Sequence, residues 1–224
     1  MEHGDIRSVK YFIWDFDGTL FDTYPMIIGD FRKALGQFGR DVDPVELMGH
    51  FLETVGHAME YYAKEFDIDL EQLNAAYRQQ LAHSNETLPA QPMAKVEQAL
   101  QAVKARGGEN YIFTHRSSVT TQGYLQRFGL EKYFADIVTP QSLCFAWKPA
   151  PDGILYLMKT HNLPADQTAM VGDRQIDLDS GIVAGVKTVH YRCKAVPQEL
   201  PCDWYFEDFG EMARCLSQAQ EETA

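Results

Sequence analysis

Asp15 and Asp17 stand two residues apart in YFIWDFDGTLFDTYP, residues 11 to 25, where an apolar run ends and Gly18 and Thr19 follow at once. A buried carboxylate is costly unless it is paired or bound to a metal, so these two require either a partner or a solvated turn. Asp-Gly is a common turn signal, and DFDG in isolation reads as a loop. Other polar residues alter that reading. Thr114 follows the apolar YIF, Asp173 and Asp177 follow MVG, and Lys148 lies in FAWKPAPD. Taken singly, Lys148 is a solvated loop lysine, Thr114 a helix cap and Asp173 a turn residue. As a set, the acidic positions suit a hard cation such as Mg²⁺, which prefers oxygen ligands and keeps waters that a phosphate can replace. Thr114 and Lys148 can then hold the anion.

These residues are useful only if the chain brings them together. Besides the opening YFIW, the segments NYIFTH near 110, ADIVT near 135, TAMVGD near 168 and VKTVHY near 186 read as short buried strands, and DWYFEDF near 203 as an edge strand. Helical patterns intervene in MAKVEQALQAVKARGG, SVTTQGYLQRFGL and APDGILYLMKTHNL. The alternation predicts an α/β fold with a doubly wound parallel sheet. Between Asp22 and Thr87 the rhythm changes: MIIGDFRKALGQFG, DPVELMGHFLETVGHAMEYYAKEF and LEQLNAAYRQQLAHSNE have helical spacing with no strand. We therefore expect a core domain of residues 1–22 and 88–224 and a helical insert of residues 23–87, closed by a linker with Pro89 and Pro92. An insert at that point is expected over the carboxyl ends of the strands, where open parallel sheets bind ligands.

Lys and Arg number 20 against 32 Asp and Glu, a net charge of −12 that opposes binding to nucleic acid. No apolar run is long enough to span a bilayer, and MEHGDIRSVK lacks the apolar stretch of a signal peptide, so a cytoplasmic protein without a membrane partner is expected. Cys144, Cys193, Cys202 and Cys215 form no metal-binding pair and read as free thiols.

The motifs, in their order and over nearly the whole chain, resemble the haloacid dehalogenase-like hydrolase superfamily, in particular its phosphatase branch with a helical cap. DFDGT at 15 to 19 matches the first motif, Thr114 in IFTHRS the second, Lys148 in WKPAP the third, and GDRQID with Asp173 and Asp177 the fourth. The resemblance implies a Rossmann-like core, with the insert as cap. It implies an Mg²⁺-dependent phosphatase acting on a small phosphorylated metabolite through an aspartyl-phosphate. Asp15 would be the nucleophile and Asp17 the acid and base. The Asp15 carboxylate, the Asp17 carbonyl and Asp173 would hold Mg²⁺. Lys148 and Thr114 would stabilise the phosphoryl group, with Asp177 orienting Lys148 or a metal-bound water.

His115 and Arg116 directly follow Thr114 and are candidate substrate contacts. So are His50, Thr54, His57 and Tyr61, at helical spacing in the insert, because the cap sets specificity in this family. Asp17 separates the chain from dehalogenases, which lack the second acid, and from phosphonate-cleaving members, which carry a small residue there. Thr19 favours a phosphatase over the sugar phosphomutases, which often have Val at that place. The alternatives are such a phosphomutase or a non-catalytic phosphometabolite-binding protein, and the latter is expected to have lost a motif residue.

Overall fold

The computed structural model describes residues 5–140, 146–194 and 199–218, so Cys144 lies outside the described residues. Cys193, Cys202 and Cys215 are free thiols. The chain divides into two compact units, residues 1–21 with 92–224, and residues 22–91. It passes between them through two short strands, β2 (Phe21–Asp22) and β3 (Gln91–Pro92), which pair with each other.

The larger unit is built on a six-stranded parallel sheet of β1 (Tyr11–Trp14), β4 (Glu109–Phe113), β5 (Phe134–Val138), β6 (Thr168–Gly172), β7 (Lys187–Tyr191) and β8 (Trp204–Phe206). Their spatial order is β5-β4-β1-β6-β7-β8. DWYFEDF therefore supplies the outermost strand, paired with β7 through Val189–Trp204 and the two following positions. Parallel strands covered on both faces read as nearly unbroken apolar runs, and β1 illustrates this. Ile13 packs into one core layer with Phe113, Ile154, Leu157 and Met170. Trp14 meets Phe209 at 5.8 Å between ring centroids and donates its indole N–H to Asn110 at 2.9 Å.

Helices α5 (Val96–Ala105), α6 (Ser118–Phe128), α7 (Asp152–His161), α8 (Gln175–Ala184) and α9 (Phe209–Ser217) connect and flank these strands. Ser117 caps α6 by accepting from the Thr120 N–H, and Gly129, at φ 65°, ends it in a left-handed turn. Asp208 caps α9 through the Gly210 and Glu211 amides, and that helix packs on α5.

The smaller unit contains α1 (Tyr24–Gly36), α2 (Pro44–Glu53), α3 (Val55–Glu65) and α4 (Leu70–Thr87). Its core joins Phe31 to Phe51, Tyr62 and Tyr77 at 5.3, 5.8 and 5.7 Å. The stretch from Asp43 to Phe66, helical in its spacing, forms two helices rather than one. Asp43 starts α2, accepting from the Val45 and Glu46 amides, and Thr54 breaks the run with an extended backbone (φ −157°, ψ 159°). The Thr54 hydroxyl then accepts from the His57 N–H and starts α3. Threonine competes well as a cap and poorly as an interior helix residue, which is why the break falls there. Among the described residues no helix is long and apolar enough to cross a membrane.

Candidate active site

Strands leave β1 in both directions: β4 and β5 lie on one side, β6 to β8 on the other. Ligands of open α/β sheets bind beyond the carboxyl ends of the strands at such a reversal. The residues that leave these ends are Asp15 after β1, Thr114 after β4 and Asp173 after β6. Asp15 is still tied to the sheet, its N–H donating to the Val171 carbonyl at 2.8 Å. The next residues turn sharply: Gly18 takes φ 80°, which glycine adopts without steric cost, and its N–H returns to the Phe21 carbonyl at 2.9 Å. Asp17 is thereby carried off the strand axis.

Lys148 joins the motifs. Its ammonium donates to Asp15 Oδ1 at 2.6 Å, to Asp177 Oδ1 at 2.6 Å and to the Phe113 carbonyl at 3.2 Å, and its side chain is fully buried. Burial alone would push the ammonium down, but the Asp15 and Asp177 carboxylates outweigh it and hold the pKa above the ordinary lysine range. Asp177 is likewise raised by burial, yet Lys148 and Arg174 prevail and keep its carboxyl below the usual range. Asp15 differs. Burial, then the charge of Asp177, push it up to about 6 against the pull of Lys148 and Arg174. Its Oδ2 is buried and accepts no hydrogen bond from the described residues.

Asp173 is held by the Thr19 hydroxyl, which donates to Oδ1 at 2.9 Å, and is fully buried. Asp15, Asp173 and Asp177 can each place one carboxylate oxygen within 4.8 Å of the other two. Thr114 is buried, and its hydroxyl accepts from the Arg116 N–H at 3.1 Å. Asp17, only partly buried, takes the fork of Arg116 on Oδ1, at 3.0 Å from Nε and 2.6 Å from Nη2. The guanidinium in turn lies over the rings of Phe16 and Tyr124, 5.5 Å from each centroid.

The structure thus gathers Asp15, Asp17, Thr114, Lys148, Asp173 and Asp177, with His115 and Arg116 beside them. Both of these last residues meet protein partners. His115 Nε2 accepts the Lys148 N–H at 2.6 Å, while Arg116 pairs with Asp17. His50, Thr54, His57 and Tyr61 belong to the smaller unit. There His50 stacks on Tyr61 at 3.9 Å and its Nδ1 lies 3.3 Å from His57 Nε2, but Thr54 is occupied as the α3 cap.

Two residues of the site were not among the candidate site residues read from the sequence. Arg174 brings Nη2 to 3.9 Å from Asp15 Oδ2 and Nε to 3.9 Å from Asp177 Oδ2. Thr19 is the hydroxyl that secures Asp173. Both adjoin motif acids, in GDRQID and DFDGT, and that adjacency was the available signal.

Residues 12–191 match the family described as haloacid dehalogenase-like hydrolase. The chain belongs to that family. It is 25% identical to a phosphoglycolate phosphatase of Haemophilus influenzae over 221 residues, covering 91% of this chain and 96% of the other. It is 27% identical to the pyrophosphatase PpaX of Halalkalibacterium halodurans over 187 residues, 81% of this chain and 82% of the relative. Its fold is shared with a crystal structure described as a predicted phosphoglycolate phosphatase from Haemophilus somnus, at a TM-score of 0.80 and 23% identity, covering 92% of this chain and 97% of that one.

Proposed function

We propose that this hydrolase is an Mg²⁺-dependent phosphatase that removes phosphate from a small phosphorylated metabolite through an aspartyl-phosphate on Asp15. The observation that carries this reading is Lys148 bridging Asp15 and Asp177, with Thr114 and Asp173 at the neighbouring strand ends. The names of the related phosphoglycolate phosphatase and pyrophosphatase support the same class of substrate.

The residues fit a divalent cation. Asp15 Oδ2 is a buried oxygen that accepts no hydrogen bond from the described residues, and Asp173 adds a second hard donor close by. The carboxylates of Asp15, Asp17 and Asp177 are paired among the described residues with Lys148, Arg116 and Arg174, and Asp173 adds a fourth, so a phosphate anion entering beside them calls for further positive charge. The Asp15 carboxylate, the Asp17 carbonyl and Asp173 would hold Mg²⁺, which would supply the charge neutralisation that lets an anionic oxygen approach an anionic phosphate.

Asp15 is the nucleophile. One of its oxygens bonds to phosphorus as the ester oxygen leaves, and Asp17 gives that oxygen a proton. Asp17 then takes a proton from the water that cleaves the aspartyl-phosphate, so the same carboxyl serves both halves. For the first half Asp17 must be protonated, and its approach to the leaving oxygen requires it to exchange the Arg116 fork for substrate. Lys148 balances charge on Asp15 and on the phosphoryl oxygens, and the Thr114 hydroxyl donates to the phosphate.

Phosphate release is measured from an aryl phosphate, phosphoglycolate, sugar phosphates and pyrophosphate, with Mg²⁺ and with chelator. Release from at least one of them that disappears with chelator is expected. Absence of release from all of them in Mg²⁺ overturns the proposal.

A further inference from the structure

We propose that His115 is a positioning residue that fixes the backbone of Lys148, and not a substrate contact. A lysine is a flexible four-carbon stem, and a charge delivered by such a stem is well placed only if both of its ends are fixed. The Lys148 ammonium end is held by Asp15, Asp177 and the Phe113 carbonyl. The backbone end lies outside every described helix and strand, in the segment before α7. There the Lys148 N–H donates to His115 Nε2 at 2.6 Å.

The imidazole is itself wedged between aromatic rings. Trp147 meets it edge-on at 4.6 Å and 77°, and Phe113 lies at 6.5 Å and 81°. To accept at Nε2 the ring must be neutral and carry its proton on Nδ1, a tautomer assigned here from the hydrogen bond. Its surroundings keep it neutral: burial, then the charges of Lys148 and Arg174, push its pKa down to about 3, against the weaker pull of Asp177 and Asp17. His115 also follows Thr114 directly, so the end of β4 supplies both a phosphate donor and the brace for the lysine that shares the phosphate.

The test compares His115→Phe, which fills the aromatic slot without an acceptor, with His115→Gln, whose side-chain carbonyl takes the place of Nε2. The kinetic arm rests on the phosphatase reading and uses aryl phosphate hydrolysis in Mg²⁺. His115→Phe is expected to lower kcat by about 10- to 100-fold, as loss of an orienting partner does, with KM within about threefold. His115→Gln is expected to recover most of that loss. Equal impairment of both variants, or wild-type kcat in His115→Phe, overturns the proposal.

A second arm needs no turnover. In nitrogen NMR of the wild-type protein, His115 is expected to be the neutral Nδ1–H tautomer at pH 6, with its Nε2 coupled through the hydrogen bond to the Lys148 amide. A charged ring, or the opposite tautomer, overturns the proposal even if no substrate is hydrolysed. The expected spectrum together with an inactive wild type would retain the brace and remove the phosphatase reading.

Discussion

At the scale of single residues, the site is a balance of charges that burial would otherwise forbid. Lys148 neutralises Asp15 and Asp177 at once, so Asp15→Asn leaves the lysine with a carboxylate partner. Asp15→Asn is therefore expected to abolish phosphate release while the melting temperature stays close to wild type, which calorimetry beside the assay checks. Asp17→Asn keeps an acceptor for Arg116 but cannot shuttle a proton. It should lower kcat by roughly 10²- to 10⁴-fold with a poor leaving group, and an unchanged rate would remove Asp17 from that role.

His115 carries a consequence for acid stability. Because its folded pKa is pushed down to about 3, chiefly by burial, the unfolded chain binds this proton at a higher pH than the folded one does. Stability from this group is complete above the ordinary histidine pKa of about 6.5. It then falls, by at most about 1.4 kcal/mol per pH unit, as the pH drops towards 3. Urea titrations of wild type and His115→Gln between pH 7 and 4 should diverge only on the acid side, the variant losing less.

At the scale of elements, strand ends and helix starts decide which side chains meet. Gly172 ends β6 where α8 brings Asp177 across it, and a Cβ there would lie 2.2 Å from the Asp177 Cβ and 2.8 Å from its Oδ2. Gly172→Ala must therefore push Asp177 aside. We expect about 1–3 kcal/mol of destabilisation from overpacking, and a fall in kcat beyond what the remaining folded fraction explains, because Asp177 holds Lys148. Thermal unfolding and turnover on the same sample separate the two effects. In the smaller unit, Thr54→Ala removes the cap of α3 and should cost about 1 kcal/mol. Aryl phosphate hydrolysis should be unaffected. An unchanged melting temperature with an altered substrate ranking would return Thr54 to a role in specificity.

At the scale of the whole molecule, all six motif residues belong to one compact unit, while His50, His57 and Tyr61 belong to the other. We propose that the insert of residues 23–87 is the cap expected from the sequence, and that it governs which metabolite is accepted. The His50–Tyr61 stack and the His50–His57 contact make these residues one polar aromatic cluster. Alanine at His50, His57 or Tyr61 is expected to change kcat/KM among phosphorylated metabolites at least about tenfold more than it changes hydrolysis of a small aryl phosphate, whose non-reacting part offers the cap little to bind. Equal losses on both substrate types would mean that the cluster serves only packing.

The amino-acid sequence by itself determined the parallel α/β core, because strands buried on both faces are largely apolar and the polar residues at their ends interrupt that pattern abruptly. Asp15, Thr114 and Asp173 were legible for this reason. The split at Thr54 was not, since apolar spacing continues across it and only the local contest between cap and helix interior breaks the run. Nor could spacing show that Arg116 reaches back 99 residues to Asp17, that Thr19 meets Asp173 154 residues away, or that His115 grips the Lys148 amide. Such pairings depend on the order and register in which β4, β1 and β6 lie side by side. Many residue types can satisfy a buried donor or carboxylate, so the choice of partner is made by which strand ends become neighbours, and that is decided only when the sheet assembles.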